Sequence, residues 1–503
     1  TLEPPKLGIS VGNLVPEGDD FLPAPGVQHL QMAVGPLRKL MFVLAALAVA
    51  FTAGRPIAAQ GGRPNVLFLI ADDLNNDLGT YGAPVRSPNI DKLAARGVRF
   101  DRVYTQYPLC SPSRSSLLSG RRPNATGVLT NPTAANPMSP HFREKLGDAL
   151  TLPQLFRTNG WFTARVGKLY HYGVPATIGT GGLDDYPSWD LAINPRGRDR
   201  ELHDKIFSLR PGLFGGTVSW LADEGPDAEH TDEIAAGEAV RLLERFKRNG
   251  ESFFLAVGFY RPHTPYVAPR RYFDMYPRDR IALPQLSAAD VSRTPAAAYR
   301  SALKEQDAMT DEQRLEATQA YWASITFMDA QVGRVLDALD RLGLADNTIV
   351  VFTSDHGYHL GDHGLWQKMS LFERSARVPL IIAAPGAKAR GVAARGLAEL
   401  VDLYPTLAGL AGLTPKGPVD GISLAPMLQD PEAVVRDAAF TQVRNGYAVR
   451  TDRWRYIEWA EGQQGSQLYD MEKDPAEATN LANAPQHAAT VNELRARIAA
   501  YRR

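Results

Sequence analysis

Cys110 is the only cysteine in 503 residues, and it opens the run Cys110-Ser111-Pro112-Ser113-Arg114. A single cysteine builds neither a disulfide nor a thiolate metal cluster. A lone cysteine is ordinarily a small buried hydrophobe, but its neighbours here point elsewhere. Ser111 suits a helix N-cap, Pro112 the first helical position, and the apolar pair Leu117-Leu118 follows. The thiol is therefore expected at the mouth of a helix, where free N–H groups and the helix dipole favour an anion.

Four more groups of reactive side chains each follow an apolar run. They are Asp72-Asp73, Gly167-Lys168-Leu169-Tyr170-His171, Arg261-Pro262-His263 and Ser354-Asp355-His356-Gly357. Ligands of open parallel sheets bind beyond the carboxyl ends of the strands, so these groups are expected at one edge. Asp72, Asp73 and Asp355 would repel one another there unless a cation neutralised them. A hard divalent ion with oxygen ligands fits, and Ca²⁺ tolerates loose geometry better than Mg²⁺. His356 is the unusual member, because imidazole is an uncommon Ca²⁺ ligand. Lys168, His171 and His263, taken singly, read as solvated loop residues. With Lys368 they supply what transfer of an anionic group needs: cations around its oxygens, a base near the nucleophile and an acid near the leaving oxygen.

The elements that must position these residues alternate between short apolar strands and helices, the pattern of an α/β sheet with parallel strands. Strands are expected at 66–70, 161–166, 253–257, 348–352 and 378–383. Helices are expected after Ser87-Pro88, closed by Gly97, after Thr151-Leu152-Pro153, and over 238–248. The longest helix is expected over 312–342, with Leu315, Trp322, Ile325, Met328, Val332, Val335, Leu339 and Leu342 on its apolar face. Between Tyr170 and Pro226, and from Pro262 to Arg300, periodicity fades; loops this long commonly shape a substrate site. Beyond about residue 430 come four short strands and a last helix near 488–501, read as a smaller subdomain.

Basic and acidic residues balance at 55 each, which excludes a polycationic nucleic-acid footprint. Apolar residues make up 44% and charged residues 22%, the composition of an ordinary globular chain. Met32, then Arg38-Lys39, the apolar stretch Leu40–Ala53 and small residues at Ala58-Ala59 follow the order of a secretory signal peptide. The apolar stretch is shorter than the roughly 20 residues of a membrane span. The expectation is a secreted or periplasmic protein with no stable membrane span. Its leader would cover 1–60 (an upstream segment and the signal peptide), its catalytic domain 61–432 and its C-terminal subdomain 433–503.

Cys-x-Pro-x-Arg, continued as Ser115-Ser116-Leu117-Leu118-Ser119-Gly120-Arg121, resembles the signature of the type I sulfatases. The Gly167-Lys168-x-x-His171 segment and Leu360-Gly361-Asp362-His363-Gly364 through Lys368 are most similar to the iduronate-2-sulfatase branch. The resemblance implies an alkaline-phosphatase-like sandwich, with a large mostly parallel sheet between helices and a smaller antiparallel C-terminal sheet. It implies that a separate maturation enzyme oxidises Cys110 to formylglycine, whose hydrate attacks sulfur. Asp72, Asp73, Asp355 and His356, with the modified Cys110, would hold Ca²⁺. Arg114 and Lys168 would fix the diol, His171 would take a proton from it, and His263 and Lys368 would bind the sulfate and assist the departing alcohol.

The substrate implied is a sulfated acidic sugar or oligosaccharide, with Arg196, Arg198, Arg200, Arg270, Arg271 and Arg374 available for its carboxylate. Two other readings compete. One is a phosphonate or phosphate ester hydrolase of the same superfamily. The other is a catalytically dead protein that binds sulfated glycans, which would be expected to have lost some of these ionic residues.

Overall fold

The apolar run near residue 66 becomes β1 (Asn65–Ala71), buried along its whole length, as a strand covered on both faces must be. The computed structural model describes residues 62–502 apart from 134, 286 and 287; the expected leader over 1–60 lies outside the described residues. Seven more strands join β1: β2 (Val98–Tyr104), β3 (Phe162–Gly167), β4 (Leu191–Ile193), β5 (Phe253–Gly258), β6 (Thr348–Ser354), β7 (Arg377–Ala383) and β8 (Val392–Glu399). Their order is β8-β2-β7-β6-β1-β5-β3-β4. Only β7 runs against its neighbours; every other pair is parallel.

The four strands that precede the reactive groups are the adjacent central ones, β6-β1-β5-β3. Their ends are flush: Ala71 pairs with Ser354, and Ile70 and Gly167 both pair with Gly258. That register puts Asp72, Lys168, Arg261 and Asp355 at one edge.

Successive side chains of β1 point to opposite faces. Leu67 and Leu69 pack toward α4 (Thr231–Asn249) and α5 (Asp311–Arg341), while Val66, Phe68 and Ile70 pack toward α3 (Leu152–Thr158) and the helix Leu403–Leu410. The first helix, α1 (Pro88–Arg96), begins after Ser87 and ends at Gly97. Thr151 caps α3 by accepting from the Gln154 N–H, and Thr310 and Gln313 form a capping box for α5.

Two sequence expectations need correction. Helix α4 starts at Thr231, seven residues before Glu238, with Asp232 and Glu233 in its first turn. Gly237 breaks the pattern there, yet the packing of Ala235, Ala236 and Ala239 against the sheet outweighs its helix-breaking tendency of about 1 kcal/mol. Strands β2, β4 and β8 were not expected: β4 has only three residues, and Arg99, Asp101, Arg102 and Arg395 interrupt the apolar positions of the other two. With β7 alone reversed, the sheet is mostly parallel, as expected.

The C-terminal strands Ala439–Val443, Gly446–Arg450, Trp454–Trp459 and Ser466–Asp470 form an antiparallel sheet in sequence order. Val491, Leu494 and Ile498 of α6 (Ala488–Arg502) cover one face, against Val449, Tyr456 and Leu468. Ala448, Ile457, Trp459 and Tyr469 on the other face pack with Tyr107, Leu109 and Phe372. This sheet therefore backs the segment that leads into Cys110. Among the described residues no helix is long and apolar enough to cross a membrane.

Candidate active site

Helix α2 (Cys110–Ser119) follows β2 and is buried on every side. It starts at Cys110 after an extended Leu109, so the cysteine is the first helical residue and Pro112 the third. The cap expected at Ser111 thus lies inside the helix. Proline is tolerated there because first-turn N–H groups have no helical partner. Within this buried helix Ser119 donates to the Ser115 carbonyl, and Ser113, which accepts from Thr105, donates to the Asp355 carbonyl, while the Ser111 and Ser116 hydroxyls have no hydrogen-bond partner among the described residues.

Around the cysteine sulfur stand groups from five segments. His356 Nε2 and Lys368 Nζ are each 3.4 Å from Cys110 Sγ, and Asp73 Oδ1 is 3.9 Å away. His171 lines the cleft beside His263 and Lys368. Lys368 Nζ donates to Asp73 Oδ1 at 2.6 Å, and Lys168 Nζ donates to Asp72. Asp72, Asp73, Cys110 and His263 offer ligand atoms within 4.8 Å of one another, and so do Cys110, Asp355 and His356.

Arg114 holds the floor of this well. Its Nε donates to Asp355 at 2.8 Å, and its terminal nitrogens donate to Asp72 and to the carbonyls of Ala71, Lys168 and Leu169. A guanidinium has five N–H groups, and protein oxygens take all five. Arg114 therefore ties together the carboxylates and the Lys168 loop.

The histidine tautomers follow from their partners. Nδ1 of His356 faces the Gly357 carbonyl at 3.0 Å, and Nδ1 of His263 faces the Thr264 carbonyl. A carbonyl only accepts, so Nδ1 carries the proton in each ring and Nε2 of the neutral ring presents a lone pair to the well.

Charge sets the titration. Burial pushes the Cys110 thiol up, but Lys168 and Lys368 outweigh it and bring the group well below its ordinary range. Burial also raises Asp72, and Lys168 more than reverses that. For Asp355 burial prevails over Arg114, leaving it high for a carboxylate. His356 is disfavoured as a cation by burial, yet Asp355 and Asp73 raise it to about 9. Burial lowers His171, which favours its neutral form.

Two backbone features pin the geometry. Asp73 has φ +64°, a costly conformation for a non-glycine residue that is common at functional sites. Gly167 has φ +75°, and a Cβ there would lie 2.2 Å from the Gly258 carbonyl oxygen. Gly167→Ala is expected to cost about 2–4 kcal/mol through positive-φ strain and this clash. Chemical denaturation should show the loss; an unchanged midpoint would mean that the strand ends are not so tightly apposed.

Above the well opens a cleft of about 370 Å³, lined by His171, His263, Lys368, Tyr172, Phe214 and Arg300, among others. The two long loops do shape it: Tyr172–Val174 and Phe214–Gly216 come from the first, Arg300 from the second. The parallel pairing of Ser219–Asp223 with Tyr266–Pro269 ties these loops together.

The sulfatase family model matches residues 64–413, and that of the C-terminal part of N-sulphoglucosamine sulphohydrolase matches 361–503. The chain belongs to the sulfatase family. It is a sulfuric ester hydrolase with the alkaline-phosphatase-like fold. Mouse iduronate 2-sulfatase is 33% identical, over 91% of this chain and 98% of the relative. The choline-sulfatase of Rhizobium meliloti is 33% identical over 84% and 83%. Among solved structures, the phosphonate monoester hydrolase of Agrobacterium radiobacter has a TM-score of 0.72 at 25% identity, over 88% of this chain and 95% of that one.

The structure thus brings together every site residue expected of a sulfatase here: Asp72, Asp73, Cys110, Arg114, Lys168, His171, His263, Asp355, His356 and Lys368. It does not bring the six substrate arginines. Arg196, Arg198, Arg270, Arg271 and Arg374 are ion-paired with Glu201, Asp223, Glu224, Asp227 and Asp77 respectively, and neither they nor Arg200 line the cleft. Sequence reading also missed Tyr321 of α5. Its hydroxyl donates to the Asp73 carbonyl at 2.7 Å and accepts from the Asn75 N–H at 3.0 Å, holding the sulfatase's strained Asp73 in place. No local signal separates that tyrosine from its apolar neighbours on the helix.

Proposed function

We propose that this sulfatase hydrolyses the sulfate ester of an acidic sugar, of iduronate-2-sulfate type, using formylglycine made from Cys110 and one divalent cation, Ca²⁺. The observation that carries the reading is the placement of Cys110 Sγ among Asp73, His356 and Lys368, at the floor of a cationic cleft.

The residues present fit a cation. Asp73 Oδ2 is buried without a hydrogen bond, an expensive state for a carboxylate oxygen unless a further ligand meets it. Arg114, Lys168 and Lys368 already balance Asp72, Asp73 and Asp355. A divalent ion therefore makes the well net positive, which suits an anionic ester and an anionic nucleophile. Asp72, Asp73, Asp355 and His356 Nε2 would hold it. When present, formylglycine supplies a hydrated aldehyde as nucleophile, and the cation supplies Lewis-acid polarisation of a sulfate oxygen.

The chain's own residues do the rest. Arg114 fixes Asp72 and Asp355, so the carboxylates need no rearrangement during the reaction. Neutral His171 takes up a proton at the nucleophile. Lys368 places positive charge on the sulfate oxygens. His263, whose Nε2 faces the well, passes a proton to the departing alcohol once protonated there.

The substrate class rests on the cleft. Among its described lining residues there is no carboxylate, and His171, His263, Lys368, Arg300 and Arg444 all stand there. That lining disfavours a quaternary ammonium ester such as choline sulfate and favours a substrate with a second negative charge. A sulfated uronate is expected to exceed its neutral-sugar analogue by at least tenfold in kcat/KM, about 1.4 kcal/mol. Equal rates, or a preference for aryl or choline sulfate, would overturn the substrate class. Phosphate and phosphonate esters in the same panel test the competing hydrolase reading.

A further inference from the structure

The arginines that line the cleft are Arg300 and Arg444, and both differ from the others near it in what they touch. Arg300 donates to Asn445 Oδ1 at 3.0 Å and to Gln464 Oε1 at 2.6 Å, both neutral amides. Asn445 Nδ2 in turn donates to Gln464 Oε1 at 3.0 Å, so the two amides brace each other. Arg444 donates to the Arg300 carbonyl at 3.3 Å, and its backbone N–H donates to the Tyr107 hydroxyl. Among the described residues neither guanidinium has a carboxylate within ion-pair distance, whereas five of the six arginines first considered for the substrate do. Neutral partners fix the Arg300 guanidinium while leaving its charge uncompensated. That is the arrangement a site for an external anion requires.

The backbone adds a second, independent observation. Arg444 and Asn445 form the two-residue turn of the hairpin in which Val443 pairs with Gly446. Arg444 occupies the first central position at φ +53°. When only the first central residue needs positive φ, that position strongly favours glycine. Arginine there carries backbone strain of order 1 kcal/mol, so the hairpin tip holds a long cationic side chain where glycine would be easier.

We propose that Arg300 and Arg444 form a second anion subsite at the mouth of the cleft, binding a second anionic group of the substrate while the sulfate ester lies over Cys110. The inference rests on the acidic-sugar reading above and names the residues that would enforce it. It also gives the C-terminal hairpin a part in substrate selection, because Arg444, Asn445 and Gln464 all belong to that sheet or its turns. The shared ligand chemistry is a planar or tetrahedral oxyanion, from either a uronate carboxylate or a second sulfate.

The test compares wild type with Arg300→Gln, Arg444→Gln, the double variant and the two Arg→Lys variants. Each is assayed for kcat/KM on three monosaccharides: a sulfated uronate, a disulfated sugar without carboxylate, and a neutral monosulfated sugar. In the double variant the selectivity for one anionic substrate over the neutral one should fall roughly tenfold, less at high salt because the guanidiniums are exposed. Lysine should restore part of it, since it keeps the charge but not the paired hydrogen bonds. A loss confined to the first substrate identifies the carboxylate, and one confined to the second identifies the extra sulfate. An unchanged selectivity ratio overturns the proposal while leaving the acidic-sugar reading intact. An equal fall on all three substrates marks a structural role and also overturns it. If wild type itself shows no preference for either anionic substrate, the acidic-sugar reading falls first and the subsite with it. Should the double variant fail to fold, the single and lysine variants decide by the same ratios.

Discussion

Replacing Cys110 with alanine is expected to abolish turnover, by at least about 10⁴-fold, while the protein still folds. The magnitude follows from losing a nucleophile whose surroundings act with it as a unit. The fold should survive because only the sulfur is lost from the first position of a buried helix, a change of about 1 kcal/mol. Turnover of a sulfate ester and a thermal melt check both halves. The companion measurement is the mass of the tryptic peptide Val103–Arg114 from native protein. Conversion to formylglycine removes one sulfur and two hydrogens and adds one oxygen. An intact thiol in fully active enzyme, or full activity in Cys110→Ala, would end the proposed mechanism.

The lowered thiol and the proposed formylglycine call for one environment. Lys168, Lys368 and the start of α2 all favour negative charge at this point. A site that stabilises a thiolate stabilises the oxyanion of a hydrated aldehyde for the same reason. The proposed nucleophile and the thiol would therefore draw on the same cationic surroundings, Lys168 and Lys368.

The site was more legible in the sequence than the substrate cleft, and the difference is physical. Asp72, Lys168, His263 and Asp355 each follow an apolar run. Parallel strands with flush ends force whatever follows them to one edge, so sequence position translated directly into space. Lys368 was found through its spacing from Leu360-Gly361, which a resemblance carried and periodicity could not.

The arginines failed because no such rule governs long loops. Arg270 and Arg271 follow His263 closely in sequence, yet a short strand, Tyr266–Pro269, carries them away to Glu224 and Asp227. Arg444 sits in a hairpin turn far downstream of Lys368, and only the docking of the C-terminal sheet brings it to the cleft. The missed strands tell a similar story at smaller scale. Sheet-edge β8 and its neighbour β2 carry charged residues among their apolar positions and β4 at the other edge is only three residues long, so an apolar-run criterion finds the middle of the sheet and loses both edges.

Removing the divalent cation should lower both activity and melting temperature without unfolding the protein. The three carboxylates do not depend on it alone. Arg114 spans Asp72 and Asp355, Lys168 meets Asp72, and Lys368 meets Asp73. These six charges offset one another, so chelation does not leave bare repulsion. What is lost is the linkage term: a ligand that binds only the folded state at a hundred times its Kd stabilises it by about 2.7 kcal/mol. Activity should fall much further, because Lys368, shared with Asp73, would then face the sulfate without the ion's charge beside it.

Asp73→Asn gives the same test without a chelator. Its Oδ2 is the buried oxygen without a hydrogen bond, and its Oδ1 is the acceptor for Lys368. The amide should bind the ion more weakly and leave Lys368 less firmly anchored. The expected pattern is a large loss of kcat, a melting temperature that no longer rises when Ca²⁺ is added, and little further loss on chelation. Metal analysis of active, dialysed wild type showing no bound divalent ion would refute the cation outright. Full activity in Asp73→Asn would move the ion, if present, away from this carboxylate.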